Sequence, residues 1–211
     1  MLEQTDGYLT LLHGGEGTFE EKRSTFIGYA LPVQSEEEAL AFIRKIKSKH
    51  YDARHNVYAY LLGQSVARYS DDGEPQGTAG IPILEVIKKC GITNACIVVT
   101  RYFGGILLGA GGLVRAYTAA AKAAVDDAQI AEYVRFSLLR IRLAYPDFQK
   151  FSAKLPALGA KVDAVDYADA VTVDFAVQAR EAEKVCREVS ELFNGKSSAN
   201  VVGERFDLLA K

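Results

Sequence analysis

The alternation of apolar and polar residues along roughly the first 130 positions predicts a region rich in strands. Residues 55–63, HNVYAYLLG, are the clearest case, because successive side chains of a strand face opposite sides. One side would carry Val57, Ala59 and Leu61, and the other Tyr58, Tyr60 and Leu62. Residues 94–102, NACIVVTRY, are almost continuously apolar, which is typical of a central strand buried on both faces. Further strands are predicted for GYLTLL (7–12), KRSTFIGYALPV (22–33) and VARYS (66–70).

Three segments of the same region predict helices through their apolar spacing and their end signals. The first, residues 35–53, begins at Ser35 with Glu38 three positions later, which is the pattern of a capping box. Its apolar face carries Ala39, Ile43, Ile46 and His50. The second covers residues 80–91 and ends at a glycine. The third, residues 113–128, is rich in alanine, the strongest helix former.

From residue 134 the pattern starts again and predicts a second domain. Its elements follow the order β-α-β-β-α-β, which is the ferredoxin-like arrangement. The strands are VRFSLLRIRLAY (134–145), KVDAVDYAD (161–169), AVTVDFAVQA (170–179) and ERFDLLA (204–210), and the helices are DFQKFSAKLPALG (147–159) and EAEKVCREVSELFN (181–194). We therefore expect an α+β chain of two domains, residues 1–132 and residues 133–211.

Composition excludes several classes of protein. Hydrophobic residues make up 49% of the 211 residues, and no window approaches the roughly 18 consecutive apolar residues of a membrane span. The first residues show no signal-peptide pattern. The three cysteines are odd in number and lack CxxC spacing, which argues against a disulfide framework and against a zinc site. We expect a cytoplasmic protein with no membrane partner. The net charge of −2 excludes a histone-like nucleic-acid binder, so any such contact needs a local basic patch.

The stretch SDDGEPQGTAG, residues 70–80, is the first candidate for chemistry. Asp71, Asp72 and Glu74 are of the ligand type that hard cations need, but their spacing does not match a calcium-binding loop. Turn chemistry accounts for the same residues, because aspartates accept backbone N–H bonds while glycine and proline shape the chain. Thr78 would cap the helix that follows. We predict a structural or recognition loop without a metal.

The stretch FGGILLGAGG, residues 103–112, lies between the predicted central strand and the alanine-rich helix. Backbone N–H groups in such a loop can hold an anion with help from the helix dipole. Five glycines occur in it, in neither a P-loop nor a dinucleotide-binding pattern: Gly104, Gly105, Gly109, Gly111 and Gly112. Arg101 and Arg115 flank the loop and would supply charge to a phosphate. Alternatively the glycines only allow close packing of the helix, and both interpretations stay open.

Two histidines, His50 and His55, flank the turn between the first helix and the next strand, with Asn56 beside the second. The imidazoles could act as an acid–base pair, but their positions on an apolar helix face and at a strand start favour structural roles. No Ser-His-Asp, Cys-His or HExxH constellation is visible. The sequence therefore assigns no catalytic residue.

Three blocks taken together resemble the signature of the IMPACT/YigZ family: HYDARHNVYAY, SDDGEPQGTAGIPIL and VVTRYFGGILLGAGGLVRAY, with KRSTFIGYA resembling its opening strand. The similarity covers about residues 16–128, and the second-domain pattern fits the bacterial members. The resemblance implies a first domain of two-layer α/β type, similar to domains of ribosomal proteins and elongation factor G. It implies a second domain similar to the last domain of elongation factor G. It also implies that the three blocks form one ligand- or partner-binding surface, which would include Tyr102.

The resemblance also bears on function. Eukaryotic relatives carry an additional N-terminal RWD interaction domain and regulate translation during amino-acid starvation through a stress kinase. We expect this chain to be of the bacterial type, without that domain and without the kinase-pathway role. Bacterial-type members are described as nucleic-acid or ribosome binders for which no reaction is established.

Three functional hypotheses follow. The leading one is a translation-linked regulatory binding protein. We expect it to bind RNA, the ribosome or a translation-factor partner rather than to catalyse a reaction, and to need no cofactor. The second is a nucleotide- or phosphate-binding enzyme that uses the stretch from Gly104 to Gly112. The third is a protein-interaction module alone. The sequence assigns no oligomeric state.

Overall fold

The computed structural model describes residues 7–209, and the ends of the predicted domains, residues 1–6 and 210–211, lie outside this range. The described chain divides into two compact units. The first unit is Tyr8–Glu132, and the second contains residues 133–209 together with Gly7. Each unit has hydrophobic clusters of its own, drawn from residues 11–128 in the first and from residues 139–199 in the second.

The first unit is built on an antiparallel sheet with three helices. A short strand, β1 (Gly7–Leu11), is followed by the five strands of the sheet, β2 (Gly15–Glu21), β3 (Ser24–Pro32), β4 (His55–Leu62), β5 (Val66–Ser70) and β6 (Ala95–Tyr102). The helices are α1 (Glu36–Lys49), α2 (Gly80–Lys89) and α3 (Gly109–Ala128). The strand order is β2-β3-β6-β4-β5, so β6 is central. Its residues are buried from Ala95 to Arg101, which confirms the sequence prediction for this strand.

Helices cover both faces of this sheet, because apolar side chains project from both faces. Val57 and Ala59 of β4 belong to the hydrophobic cluster that contains α2 and α3, whereas Tyr60 of the same strand belongs to the cluster that contains α1. The mixed helix-and-strand class is confirmed. The expected two layers are corrected to three, namely α1, the sheet, and α2 together with α3.

Strand β2 is not predicted by the sequence pattern, because its residues, GEGTFEE, are mostly glycine and acid. It pairs with β3 through the two-residue turn formed by Lys22 and Arg23, whose φ angles of 47° and 67° are both left-handed. These dihedrals are those of a type I′ turn, which usually contains Asn-Gly. A Lys-Arg pair is not a recognised turn signal, so the sequence does not predict this hairpin.

Helix α3 lies close to the sheet because glycines of the strands face alanines of the helix. A Cβ atom added at Gly28 would lie 2.3 Å from the carbonyl oxygen of Ala120. One added at Gly17 would lie 2.5 Å from Cβ of Ala123. Close helix-to-sheet packing in this unit therefore depends on glycines in β2 and β3.

The long strand β7 (Ile130–Leu143) leads into the second unit. The other elements of that unit are α4 (Tyr145–Lys154), β8 (Lys161–Tyr167), β9 (Val171–Gln178), α5 (Ala182–Leu192) and β10 (Asn200–Leu208). Its strands are antiparallel in the order β10-β7-β9-β8. This arrangement confirms the predicted ferredoxin-like fold. Several boundaries differ from the prediction by a few residues: β7 starts at Ile130 and β10 at Asn200. Helix α4 ends at Lys154, and a 3-10 turn follows around Pro156, which has no N–H to continue the helix.

Candidate functional site

Three separate segments of the first unit meet around one open cavity of about 570 Å³. They are the loop between β5 and α2, the start of β4, and the end of β6 with the chain that follows into α3. The lining residues are Arg54, His55, Glu74, Pro75, Arg101, Phe103, Leu107, Leu108, Gly109, Ala110 and Leu113. The antiparallel pairing of β4 with β6 brings these segments together, because it places His55 opposite Arg101.

Asp71 organises the loop by accepting three backbone N–H groups. Its Oδ2 accepts from Gly77 at 2.9 Å, and its Oδ1 accepts from Ala79 at 3.2 Å and from Gly80 at 2.8 Å. The last two donors lie at the N-terminus of α2, where backbone N–H groups lack helical partners. The carboxylate therefore caps α2 from eight to nine residues upstream, and its negative charge suits the helix dipole.

Thr78 does not cap α2, contrary to the sequence prediction. Its hydroxyl donates to the carbonyl oxygen of Pro75 at 2.6 Å, so it closes the turn before the helix. The N-cap position falls instead on Ala79, whose side chain has no acceptor. The acceptor that α2 needs is the carboxylate of Asp71.

Asp72 holds the loop against α1 and β4. Its φ of 46° is left-handed, and its carboxylate accepts from Nζ of Lys47 and from the backbone N–H of Asn56, both at 2.7 Å. Its own carbonyl oxygen lies 2.7 Å from Nδ1 of His55. Because a carbonyl can only accept, Nδ1 carries a proton, and the other ring nitrogen, Nε2, is left to face Glu74.

Glu74 lies at the centre of a buried cluster. Its Oε1 accepts from Nη1 of Arg101 at 2.6 Å and from the hydroxyl of Tyr117 at 2.7 Å. Its Oε2 lies 3.8 Å from Nε2 of His55. Burial, together with the negative charge of Glu74, raises the pKa of Tyr117, so its hydroxyl stays protonated and donates. We call these four residues, His55, Glu74, Arg101 and Tyr117, the Glu74 cluster.

The guanidinium of Arg101 is held by aromatic rings as well as by charge. It lies 5.4 Å from the ring centre of Phe26 and 5.5 Å from that of Phe103, within the range of cation–π attraction. Its Nε is buried and has no hydrogen-bond partner within residues 7–209. Arg101 therefore lines the cavity in a fixed orientation with one donor unsatisfied.

The first two glycines of the stretch 103–112 shape the turn after β6. An added Cβ at Gly104 would lie 2.0 Å from the carbonyl carbon of Arg23, and the N–H of Gly104 donates to Oγ of Ser24 at 3.1 Å. Close approach to the β2–β3 turn therefore requires a glycine here. Gly105 has a left-handed φ of 84° with open space around it.

The other three glycines lie in the first turn of α3. Gly109 starts the helix with a left-handed φ of 73°. A Cβ added at Gly111 would lie 3.9 Å from Nη1 of Arg115, and one added at Gly112 would lie 2.9 Å from Cβ of Leu108. No side chain of the described chain caps this N-terminus. Leu108, Gly109 and Ala110 line the cavity, so the start of α3 faces it.

The two arginines that flank the glycines in sequence occupy different places. Arg101 lines the cavity, whereas Arg115 is exposed on α3 and is not among the described lining residues. Arg54, which the sequence does not single out, does line it. The backbone N–H of Arg54 donates to the carbonyl oxygen of Arg101 at 3.0 Å, and its side chain is exposed.

His50 belongs to a second polar cluster at the C-terminal end of α1. Its Nε2 lies 2.8 Å from the hydroxyl of Tyr29, and its Nδ1 lies 2.9 Å from the hydroxyl of Tyr102. Nζ of Lys49 donates to the Tyr29 oxygen at 3.0 Å, and Tyr102 donates to Asp52 at 3.1 Å. One neutral tautomer of His50 satisfies every bond, with the proton on Nδ1 and Tyr29 donating to Nε2. We call these five residues the His50 relay.

The surroundings of His50 favour its neutral form. Its pKa is lowered, chiefly by burial and further by the neighbouring Lys49 cation. The pKa of Lys49 is raised, and its hydrogen bond to Tyr29 is the largest cause. His50 and His55 bind different partners, so the two imidazoles do not form the acid–base pair considered from the sequence.

Asn56 links the two clusters. Its Nδ2 donates to the carbonyl oxygen of His50 at 3.2 Å, and its Oδ1 accepts from the hydroxyl of Thr100 at 2.7 Å. Its backbone N–H is the donor to Asp72 described above. A single buried residue therefore fixes the end of α1, the loop and the central strand relative to one another.

Several residues of the two clusters, of the loop contacts and of the cavity lining are not predicted from the sequence as site residues: Tyr29, Lys47, Lys49, Asp52, Arg54, Phe103 and Tyr117. Tyr117 does carry a signal, since it is the one aromatic residue of the alanine-rich helix and a buried tyrosine hydroxyl needs a partner. Lys47 and Lys49 carry no such sequence signal, because the side chains that they bind belong to other elements.

Within residues 7–209, no three His, Cys, Asp or Glu side chains are grouped as metal ligands would be. The acids of the loop bind backbone N–H groups and cationic side chains instead. In the same range of residues, no helix has both the length and the apolar character that crossing a membrane requires.

Comparison with known proteins gives matches along most of the chain. A family model of the Impact N-terminal domain matches residues 22–125, and one of a domain of unknown function (DUF1949) matches residues 141–196. The IMPACT family member YvyE of Bacillus subtilis is 37% identical over 192 residues, which are 90% of this chain and 88% of the relative. The IMPACT family member YigZ of Escherichia coli is 31% identical over 180 residues, 83% of this chain and 88% of the relative. A crystal structure of a hypothetical protein matches with a TM-score of 0.62 and 28% identity, covering 94% of this chain and 98% of that one.

Proposed function

The chain belongs to the IMPACT family, and we propose from this membership that it is a translation-linked regulatory binding protein. Its first unit binds RNA, the ribosome or a translation-factor partner, and its second unit orients it. The translation link is supported by the resemblance to family members that regulate translation. The binding role is supported by the geometry of the cavity.

The observation that carries this proposal is the convergence of three family blocks on one rigidly held cavity. Asp71 fixes the loop through backbone N–H groups, and Glu74 fixes Arg101 through a buried ion pair. Groups held in this way lose little conformational freedom when a partner binds, which favours recognition. Arg54 and the half-exposed Phe103 are available beside them for contacts to phosphate and base.

Co-sedimentation with ribosomes and with structured RNA at two salt concentrations tests this proposal. The wild type should associate more strongly at low salt, because phosphate contacts release counterions. Arg54→Gln and Phe103→Ala should reduce the association, and Arg44→Gln, at an exposed arginine of α1 outside the described lining, is the matched control. A folded wild type that associates with neither ribosomes nor RNA at low salt would refute the nucleic-acid form of the proposal. Binding of a translation factor alone, unaffected by nuclease, would favour a pure protein-interaction module.

A second candidate, a nucleotide- or phosphate-binding enzyme, is favoured by the orientation of one imidazole. The carbonyl of Asp72 fixes the ring of His55, whose Nε2 faces Glu74 beside the cavity. An imidazole held in this way can transfer protons. Hydrolysis of a panel of nucleotides and phosphate monoesters would be compared for wild type and His55→Gln. Turnover that His55→Gln loses and Arg44→Gln keeps would favour the enzyme, and no turnover by the wild type would favour the binding protein.

A further inference from the structure

The charges around the cavity do not balance. Among its described lining residues, Arg54 and Arg101 are cations and Glu74 is the single carboxylate. Oε1 of Glu74 is already bound by Arg101 and Tyr117. The exposed guanidinium of Arg54 has no ion pair with any residue of the described chain. The cavity is therefore complementary to an anion.

The N-terminus of α3 adds partial positive charge to the same cavity. The helix has 20 residues, long enough for its peptide dipoles to add up. Its first turn, GAGG, contains no acid, and no side chain within residues 7–209 caps it. Phosphate oxygens bind to such free backbone N–H groups at helix N-termini.

Arg101 indicates the same kind of ligand independently of the helix. It is only 5% exposed, and it lines the cavity. Within the described chain its guanidinium donates a hydrogen bond through Nη1 alone, which leaves an Nη2 donor available to an oxygen of an anion in the cavity. Phe26 and Phe103 keep the guanidinium in place, so the donor needs no reorganisation to bind.

Much of the remaining cavity wall is apolar and exposed, so an aromatic group can pack against it. Phe103 is 48% exposed and Leu107 is 82% exposed, although both line the cavity. Leu108 and Leu113 continue this wall. The volume of about 570 Å³ falls within the roughly 300–1,000 Å³ of small-molecule pockets and exceeds what a bare phosphate fills. A flat base can stack on the exposed part of the Phe103 ring.

We infer that the cavity binds a nucleoside monophosphate. Its phosphate ester lies between the N-terminus of α3 and the guanidinium groups of Arg54 and Arg101, and its base lies against Phe103. This inference rests on the proposed binding role of the first unit and specifies the ligand class of its cavity. The same chemistry has two sources, a free nucleotide or the 5′-phosphorylated end of an RNA strand.

Isothermal titration calorimetry of the full chain with AMP, adenosine and inorganic phosphate, at constant ionic strength, tests the inference. AMP should bind more tightly than adenosine or phosphate. Arg54→Gln should weaken AMP binding about tenfold, as for the loss of a charge-assisted hydrogen bond. Phe103→Ala should weaken AMP binding more than phosphate binding, because the base loses its stacking surface whereas Arg101 loses one of its two ring contacts and keeps Phe26. Arg44→Gln, at an exposed arginine of α1, is the matched control and should change neither, and all three exposed positions allow substitution without disturbing the core.

A 5′-phosphorylated RNA oligonucleotide and its 5′-hydroxyl counterpart distinguish the two sources. Tighter binding of the phosphorylated oligonucleotide than of AMP identifies the RNA end, and binding of AMP alone identifies a free nucleotide. Failure of AMP, phosphate and the phosphorylated oligonucleotide alike would overturn the inference. Equal affinities for AMP and adenosine, or equal losses in Arg54→Gln and Arg44→Gln, would overturn it as well. The calorimetric titration contains no ribosomes, so it tests only the nucleotide inference. A failed co-sedimentation with ribosomes would count against the translation link and not against nucleotide binding.

Discussion

Replacing Glu74 with glutamine removes the negative charge from the centre of the Glu74 cluster while keeping the size of the side chain. In the wild type this carboxylate is the counter-charge of Arg101, and both residues are almost completely buried. Glu74→Gln leaves the guanidinium between Phe26 and Phe103 with no negative partner. Since an unpaired buried charge is far less favourable than a hydrated one, the first unit should lose stability.

The expected loss can be estimated from the contacts. Removing one partner of a buried ion pair costs about 3–5 kcal/mol. The amide oxygen of Gln can still accept one hydrogen bond from Arg101 or Tyr117, so we expect the lower end, about 3 kcal/mol in the free energy of unfolding. The double variant Glu74→Gln/Arg101→Met leaves no lone charge and should cost less than the sum of the single changes, with a coupling energy of about 2 kcal/mol.

Urea unfolding followed by far-UV circular dichroism gives these free energies, and amide NMR signals from β6 report the first unit separately. Glu85→Gln is the matched control, because Glu85 is a half-exposed acid of α2 paired with Lys88, and the change should alter stability by less than about 0.5 kcal/mol. A loss below about 1 kcal/mol for Glu74→Gln, or strictly additive single changes, would show that this carboxylate does not neutralise a buried Arg101.

Three further predictions concern other parts of the chain. Asp71→Ala should cost about 2–4 kcal/mol in the same assay, because the N–H groups of Ala79 and Gly80 lose their acceptor, whereas Asp71→Asn keeps an acceptor and should cost less; equal losses would contradict this. The pKa of His50 is lowered, so unfolding takes up a proton below the ordinary pKa of 6.5. The contribution of His50 to stability should be complete above that pH and should be lost as the pH falls below it. The urea midpoint of His50→Gln should therefore depend less on pH than that of the wild type, and an equal dependence would contradict this. Residues 134–211 alone should give a dispersed NMR spectrum, because their core uses only residues 139–199; a collapsed spectrum would show that the unit cannot fold by itself.

Much of the fold could be predicted from apolar periodicity and end signals. The order of elements in the second unit follows from the pattern alone, and Oγ of Ser35 accepts the N–H of Glu38 at 3.2 Å, as the capping pattern predicts. Glu38, however, accepts the N–H of Gln34 and not that of Ser35. The layering of the first unit could not be predicted, because periodicity shows that a strand is buried on both faces but not which helix covers each face.

The sequence indicates the segments that meet at the cavity, but not the partner of each side chain. Asp71 and Asp72 bind backbone N–H groups, as turn chemistry suggests, yet which N–H groups they reach depends on how the loop folds. Tyr117 lies 43 residues after Glu74 and shares its carboxylate only because α3 packs on the sheet. Arg54 and Phe103 come to line the same cavity only because β4 pairs with β6.

Helix α3 is a rod of about 30 Å whose two ends have different surroundings. Toward its C-terminus it is clamped, since Gly17 and Gly28 leave no room for a methyl group against Ala120 and its neighbours. Its other end, at Gly109, forms part of the cavity wall. The helix is also fixed near the cavity, since Leu113 is buried and the hydroxyl of Tyr117 binds Glu74. One helix therefore connects the glycine contacts of β2 and β3 with the cavity wall, and a methyl group added at Gly17 or Gly28 is expected to disturb the packing of both.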